Sequence, residues 1–163
     1  MPAKNQNDAA PKFSLAAFLP YRLAVATESV GRVFAESFGN AYNLNRPEWR
    51  ILAVIVEHGT QSPTMVGQRS ALDKVKVSRA VQSLVTKGLL RRTRDPDDGR
   101  GLLLSLTRKG AATHAGLIPL SARTEATVFE GLNQADRAAL SRILKKITTH
   151  LETIDGTGTR TRR

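Results

Sequence analysis

The stretch LLRRTRDPDDGRGLLLSLT, Leu89 to Thr107, decides how the chain folds. Its ends, LLRRTR and GLLLSLT, are apolar and basic runs of strand length, and DPDDGR between them has the Pro, Asp and Gly of a turn. A β-hairpin is the expected result. Three short helices are expected directly upstream. Pro47 to Glu57 has a proline suited to a first helical position, and EHG (Glu57 to Gly59) supplies a glycine stop. SPTMVGQRSA (Ser62 to Ala71) opens on a serine cap followed by proline. LDKVKVSRAVQSLVTKG (Leu72 to Gly88) has Asp73 as its N-cap and Gly88 as its terminator.

Three helices followed by a hairpin is the order of a winged helix-turn-helix. The predicted fold is mainly α with a small β-hairpin wing, flanked by long terminal helices. From Pro20 to about Tyr42, Leu23, Ala26, Val30, Val33 and Phe38 recur at helical spacing. From Gln134 to Ile154, with Asn133 as N-cap, Leu140, Ile143, Leu144, Ile147, Leu151 and Ile154 form an apolar stripe. A further helix over Thr107 to Val128 is expected to break or bend near Pro119. Long helices with narrow apolar seams have too little partner surface in one small subunit, so they are expected to be dimerisation helices packing on a second copy. An intrachain helical hairpin is the alternative.

Charge narrows the function. The 163 residues carry 25 Lys+Arg and 14 Asp+Glu, a formal net charge of +11. Between Gln61 and Gly110 there are 11 basic and 4 acidic residues, or +7, which leaves 14 and 10, or +4, for the rest of the chain. A localised basic surface favours a polyanion: nucleic acid or acidic lipid. The absence of cysteine excludes disulfides, thiolate metal sites and thiol redox sensing. Apolar runs such as ILAVIV (Ile51 to Val56) are far short of a membrane span, and no signal-peptide pattern opens the sequence, so a cytoplasmic location and no membrane partner are expected. No phosphate-binding glycine loop, H-E-x-x-H or G-x-S-x-G is present, so no enzyme activity and no cofactor are expected.

On a wheel centred on Val77, the residues Ala80, Val81 and Leu84 fall within about 60° and form a buried stripe. The opposite face carries Val75, Arg79 and Gln82, flanked by Lys76, Ser78 and Ser83, with no acid. Arginine can read guanine, glutamine adenine, and valine a thymine methyl, which suits a helix in the major groove. A merely solvated basic face is the competing reading. At the hairpin tip, Arg100 could enter a narrow minor groove, its guanidinium aimed by Asp97 or Asp98, while Asp95 before Pro96 starts the turn. A plain polar turn is the alternative. A calcium loop is excluded, because counting from Asp95 puts Arg100 and Leu106 where glycine and glutamate are required.

RPEWRILAVI (Arg46 to Ile55), LDKVKVSRAVQSLVTKGLLRR (Leu72 to Arg92) and DPDDGRGLLLSLTRKG (Asp95 to Gly110), with the flanking long helices, resemble the multiple-antibiotic-resistance regulator (MarR) family over about Phe18 to Ile154. The resemblance implies a homodimer whose terminal helices form the interface and whose winged domains grip a palindromic operator in double-stranded DNA. By position it implies backbone contacts from Ser62, Thr64 and Gln68, base reading by Val75, Lys76, Ser78, Arg79 and Gln82, and a wing pair of Asp98 and Arg100. It also implies repression relieved by a small ligand, often an aromatic acid, bound between the dimer and DNA-binding parts. The cysteine-based sensing branch is not available to this chain.

The expected organisation is an N-terminal tail over 1–17, a dimerisation region over 18–45 and 111–154, a DNA-binding domain over 46–110 and a basic tail over 155–163. For the ligand, Tyr21, Arg22, Trp49 and Arg50 offer aromatic walls and guanidinium groups suited to an aromatic carboxylate or a coenzyme A thioester. Core packing and structural ion pairs are the competing reading of those four residues. His58, His114 and His150 have no metal-ligand spacing. A sequence-specific repressor is thus the leading reading, and a non-specific structural nucleic-acid binder its rival.

Overall fold

A computed structural model describes residues 13–96, 98 and 101–158. After a single 3-10 turn at Leu15–Ala17 come α1 (Leu19–Tyr42), α2 (Arg46–His58), α3 (Pro63–Ser70), α4 (Lys74–Thr86), β1 (Leu90–Arg94), β2 (Leu102–Leu106), α5 (Arg108–Val128) and α6 (Gln134–Gly158). The chain divides into two compact units, the first ending at Gly116 and the second beginning at Leu117.

In the first unit, each helix of the middle segment starts and stops at a local signal. Asn45 and Glu48 form a reciprocal capping box, with the Glu48 amide donating to Asn45 Oδ1 at 3.0 Å and the Asn45 amide to Glu48 Oε2 at 2.8 Å. This cap satisfies two of the donors that a helix start leaves open. Pro47 consequently sits one position inside a helix that begins at Arg46. Ser62 Oγ accepts from the Met65 amide, and Asp73 Oδ1 from the Lys76 amide. The hydrogen bond to Asp73, then its side-chain bond to Lys76, holds its carboxyl below the usual carboxylate range. Gly88, with φ +70°, turns the chain from α4 into β1.

The predicted inner stripe of α4 is buried: Val77, Ala80, Val81 and Leu84 pack into a core with Phe38, Leu44, Ile51, Leu52, Val66, Leu90 and Leu104. Each large apolar side chain buried here contributes about 1.5–3 kcal/mol. The strands pair antiparallel in the register Leu90↔Leu106 to Arg94↔Leu102. A third edge is present that the sequence reading lacked. Gln61, in the loop between α2 and α3, exchanges both backbone hydrogen bonds with Leu104 at 3.1 and 2.8 Å.

The LTRKG segment closes the wing onto α5. Thr107 Oγ1 accepts from the Gly110 amide and donates to the Gly88 carbonyl at 2.7 Å. Gly110 is buried, and a Cβ built there would stand 2.0 Å from the Leu89 carbonyl oxygen. Only glycine allows that approach of helix to strand.

In the second unit, the end of α5 turns into α6 at Asn133. Asn133 and Asp136 cap each other, at 2.9 and 3.2 Å, and Arg137 secures the turn by donating to the carbonyls of Leu132 and Phe129. No break occurs at Pro119, because α5 runs as one helix from Arg108 to Val128 and absorbs the missing donor. The expected α6 stripe is fully formed but uncovered. Leu140, Ile143, Leu144, Ile147, Leu151 and Ile154 are all 36–51% exposed.

Candidate nucleic-acid interface

α4 is buried along one side and bare along the other. Val75, whose methyl groups a solvated helix has no reason to display, is 59% exposed. Lys76, Ser78, Arg79 and Gln82 are exposed beside it, and Ser83 is half-buried. Among the described residues, the side chains of Ser78, Arg79 and Gln82 make no ion pair or hydrogen bond. Lys76 differs. Its ammonium lies 2.9 Å from Asp73 Oδ2, so the cap that starts the helix also restrains one of the five side chains expected to read bases.

A groove of about 680 Å³ runs between α3, α4 and the hairpin. It brings together Thr64 and Gln68 from α3, Lys74 and Ser78 from α4, and Arg92 and Leu102 from the hairpin. Ser62 stands apart from this set. It is half-buried, and its hydroxyl oxygen caps α3. Lys74 and Arg92 were missed in the sequence, although strand alternation held a signal for one of them. Arg92 is two residues from buried Leu90 and so shares its side of β1.

At the wing, the Asp95 amide donates to the Gly101 carbonyl at 3.0 Å and the Gly101 amide to the Asp98 carbonyl at 2.7 Å, closing the turn. Asp98 is exposed. Asp97 and Arg100 lie outside the described residues, and with them the expected Asp98–Arg100 pair.

The four residues nominated for a ligand do not converge within one chain. Trp49 stacks on Phe34 with ring centroids 6.5 Å apart and meets Phe38 edge-on at 5.5 Å. Tyr21 and Arg22 are exposed in the first turn of α1, about 20 Å from Phe34 at the rise of an α-helix. Arg50 is half-buried beside Trp49, and burial, followed by the charge of Arg46, lowers its pKa. His58 and His150 are exposed and His114 is half-buried, its pKa lowered by burial. No three potential ligands among the described residues could hold a metal ion, and no described helix is long and apolar enough to cross a membrane.

Residues 42–101 match the family model described as the MarR family. That segment, α2 to the hairpin, is similar to the MarR-family domain. Beyond that segment, the HTH-type transcriptional regulator YkoM of Bacillus subtilis, itself uncharacterised, is 29% identical over 129 residues, which is 73% of this chain and 84% of that protein. A crystal structure of a probable transcriptional regulator from Pseudomonas aeruginosa superposes with a TM-score of 0.75 at 28% identity, covering 82% of this chain and 99% of that one. The structure of BpsR from Bordetella bronchiseptica, whose DNA binding is regulated by 6-hydroxynicotinic acid, superposes with a TM-score of 0.74 at 25% identity, covering 80% and 98%. The winged helix-turn-helix expected from the order of elements is therefore the fold, and the chain is similar to MarR-family transcriptional regulators.

Proposed function

We propose that this MarR-family protein is a cytoplasmic, homodimeric repressor that binds a palindromic operator and is released from it by a small aromatic acid or its coenzyme A thioester. It acts by binding and carries out no catalysis. The observation that carries DNA reading is the outer face of α4, where Val75 is exposed beside the side chains of Arg79 and Gln82, which are unpaired among the described residues. An α-helix fits the major groove, and these three residue types match the base edges found there. Thr64 and Gln68 flank the helix as backbone contacts, with Ser62 at the start of α3, and Asp98 and Arg100 serve the wing.

The uncovered stripe of α6 supports the dimer. Rows of leucine and isoleucine at helical spacing are stable in water only when covered, and a second copy offers a matching row. Ligand release is supported by similarity to a protein whose DNA binding responds to a heteroaromatic acid.

Selection of preferred duplexes from a random pool tests the whole reading. The expected motif is palindromic, with half-sites about 34–36 Å apart or a multiple of it, and its affinity exceeds that for random duplex by about 10³-fold or more. A protein that retains all random duplexes equally is a structural nucleic-acid binder, as its net charge alone would allow. Arg79→Ala is expected to lose about 1–3 kcal/mol of discrimination at one position of each half-site. An unchanged base-preference matrix in that variant would remove Arg79 from the reading face.

A further inference from the structure

The C-terminal end of α4 is held from two sides by groups that face away from its exposed surface. Lys87, the residue that closes the helix, places its ammonium 2.8 Å from both carboxylate oxygens of Glu48 and 2.6 Å from the Asn43 carbonyl. All three of its protons are therefore used. Glu48 has no exposed surface, and its Oε2 is the same atom that accepts from the Asn45 amide to cap α2. Asn43 is the left-handed residue that ends α1, with φ 51°. The Lys87–Glu48 pair thus joins the end of α1, through the ammonium, to the start of α2, through the carboxylate, and to the end of α4.

From the other side, the first turn of α5 takes hold of the same point. Lys109 Nζ donates to the Lys87 carbonyl at 2.8 Å, and Thr107 Oγ1 to the Gly88 carbonyl at 2.7 Å. α1 and α5 are the helices that lead out of the winged domain, and the end of α1 and the start of α5 both bond to the chain at Lys87 and Gly88.

We infer that Glu48 and Lys87 are positioning residues for base reading. Their pair fixes how far α4 is advanced along its axis and how it is rotated, and it relays the position of the α1–α2 junction to Arg79 and Gln82 without touching DNA. A buried ion pair adds little net stability over an apolar replacement, and its best-attested use is to fix register. Placing such a pair at the end of a helix whose outer face is bare meets that use. This inference rests on α4 being the reading helix.

The test compares wild type, Glu48→Gln, the double variant Glu48→Gln/Lys87→Met and the conservative Lys87→Arg. Glu48→Gln keeps an acceptor for the Asn45 amide, and the double variant leaves no buried charge without a partner. Affinity for the selected operator and for random duplex is measured over a range of salt concentrations, with folding checked by circular dichroism. Both glutamine variants are expected to lose about tenfold of the operator-to-random ratio, the worth of one misplaced base contact. The random-duplex affinity and salt slope of the double variant should not change, because removing Glu48 and Lys87 together leaves the net charge as it was. Lys87→Arg should retain most of the ratio. A folded Glu48→Gln protein with the wild-type ratio, or parallel loss of both affinities, overturns the inference. A wild type with no operator preference instead defeats the reading of α4 itself.

Discussion

Glutamate at both Leu144 and Ile147 is expected to leave a folded monomer that binds operator about 10²–10⁴-fold more weakly than wild type, the avidity lost when two linked sites become one. Both side chains lie in the middle of the α6 stripe, at 40% and 38% exposure. In a lone chain two carboxylates there would be harmless, since the positions already face water. In the proposed dimer they would be buried as like charges without partners, at a cost of several kcal/mol. Sedimentation velocity and operator titration of the double variant provide the check, with helical content followed by circular dichroism. A double variant that sediments as the wild-type dimer would place the interface elsewhere.

Gly110→Ala carries the second large effect, and its sign is opposite to the general rule. Alanine in place of glycine inside a helix normally stabilises by about 1 kcal/mol. Here the new methyl would stand 2.0 Å from the Leu89 carbonyl oxygen, a backbone atom that cannot swing aside, with the Leu89 carbonyl carbon and the Leu106 side chain at 3.0 Å. Relief requires α5 to move off the hairpin and the bonds of Thr107 to Gly88 and Gly110 to stretch. A net loss of about 1–3 kcal/mol is expected, as for overpacked cores generally, measured by urea unfolding. A more stable variant would mean that α5 and β1 are not held at this separation. Because the same turn bears Lys109, which holds the end of α4, operator discrimination should fall together with stability.

Much of the winged domain was legible in the sequence because its signals are local. Ser62, Asp73 and Asn133 cap the helices that follow them, Gly59 and Gly88 end helices, and Val77, Ala80, Val81 and Leu84 form the inner stripe of α4 as their spacing required. The break that Pro119 allowed is not realised. A local rule predicted a break or bend, but the helical residues on either side carry α5 through it without a break. Pro47 sat one place further in than expected, because the capping box begins at Asn45.

The sequence by itself determined where the helices and the hairpin begin and end, which face of α4 turns inward, and that the positive charge gathers around them. These follow from cap chemistry and from periods of 3.6 and 2, both of which act over a few residues. Tertiary structure alone decided the rest. It brought Lys87 to Glu48 and Asn43, Gln61 to Leu104, the helix at Gly110 against Leu89, and Arg92 into the groove beside Ser78. It also set Trp49 among Phe34 and Phe38, far along α1 from Tyr21. Contacts of that kind join residues with no shared period or turn. They exist only once the burial of the whole core has fixed how the elements pack.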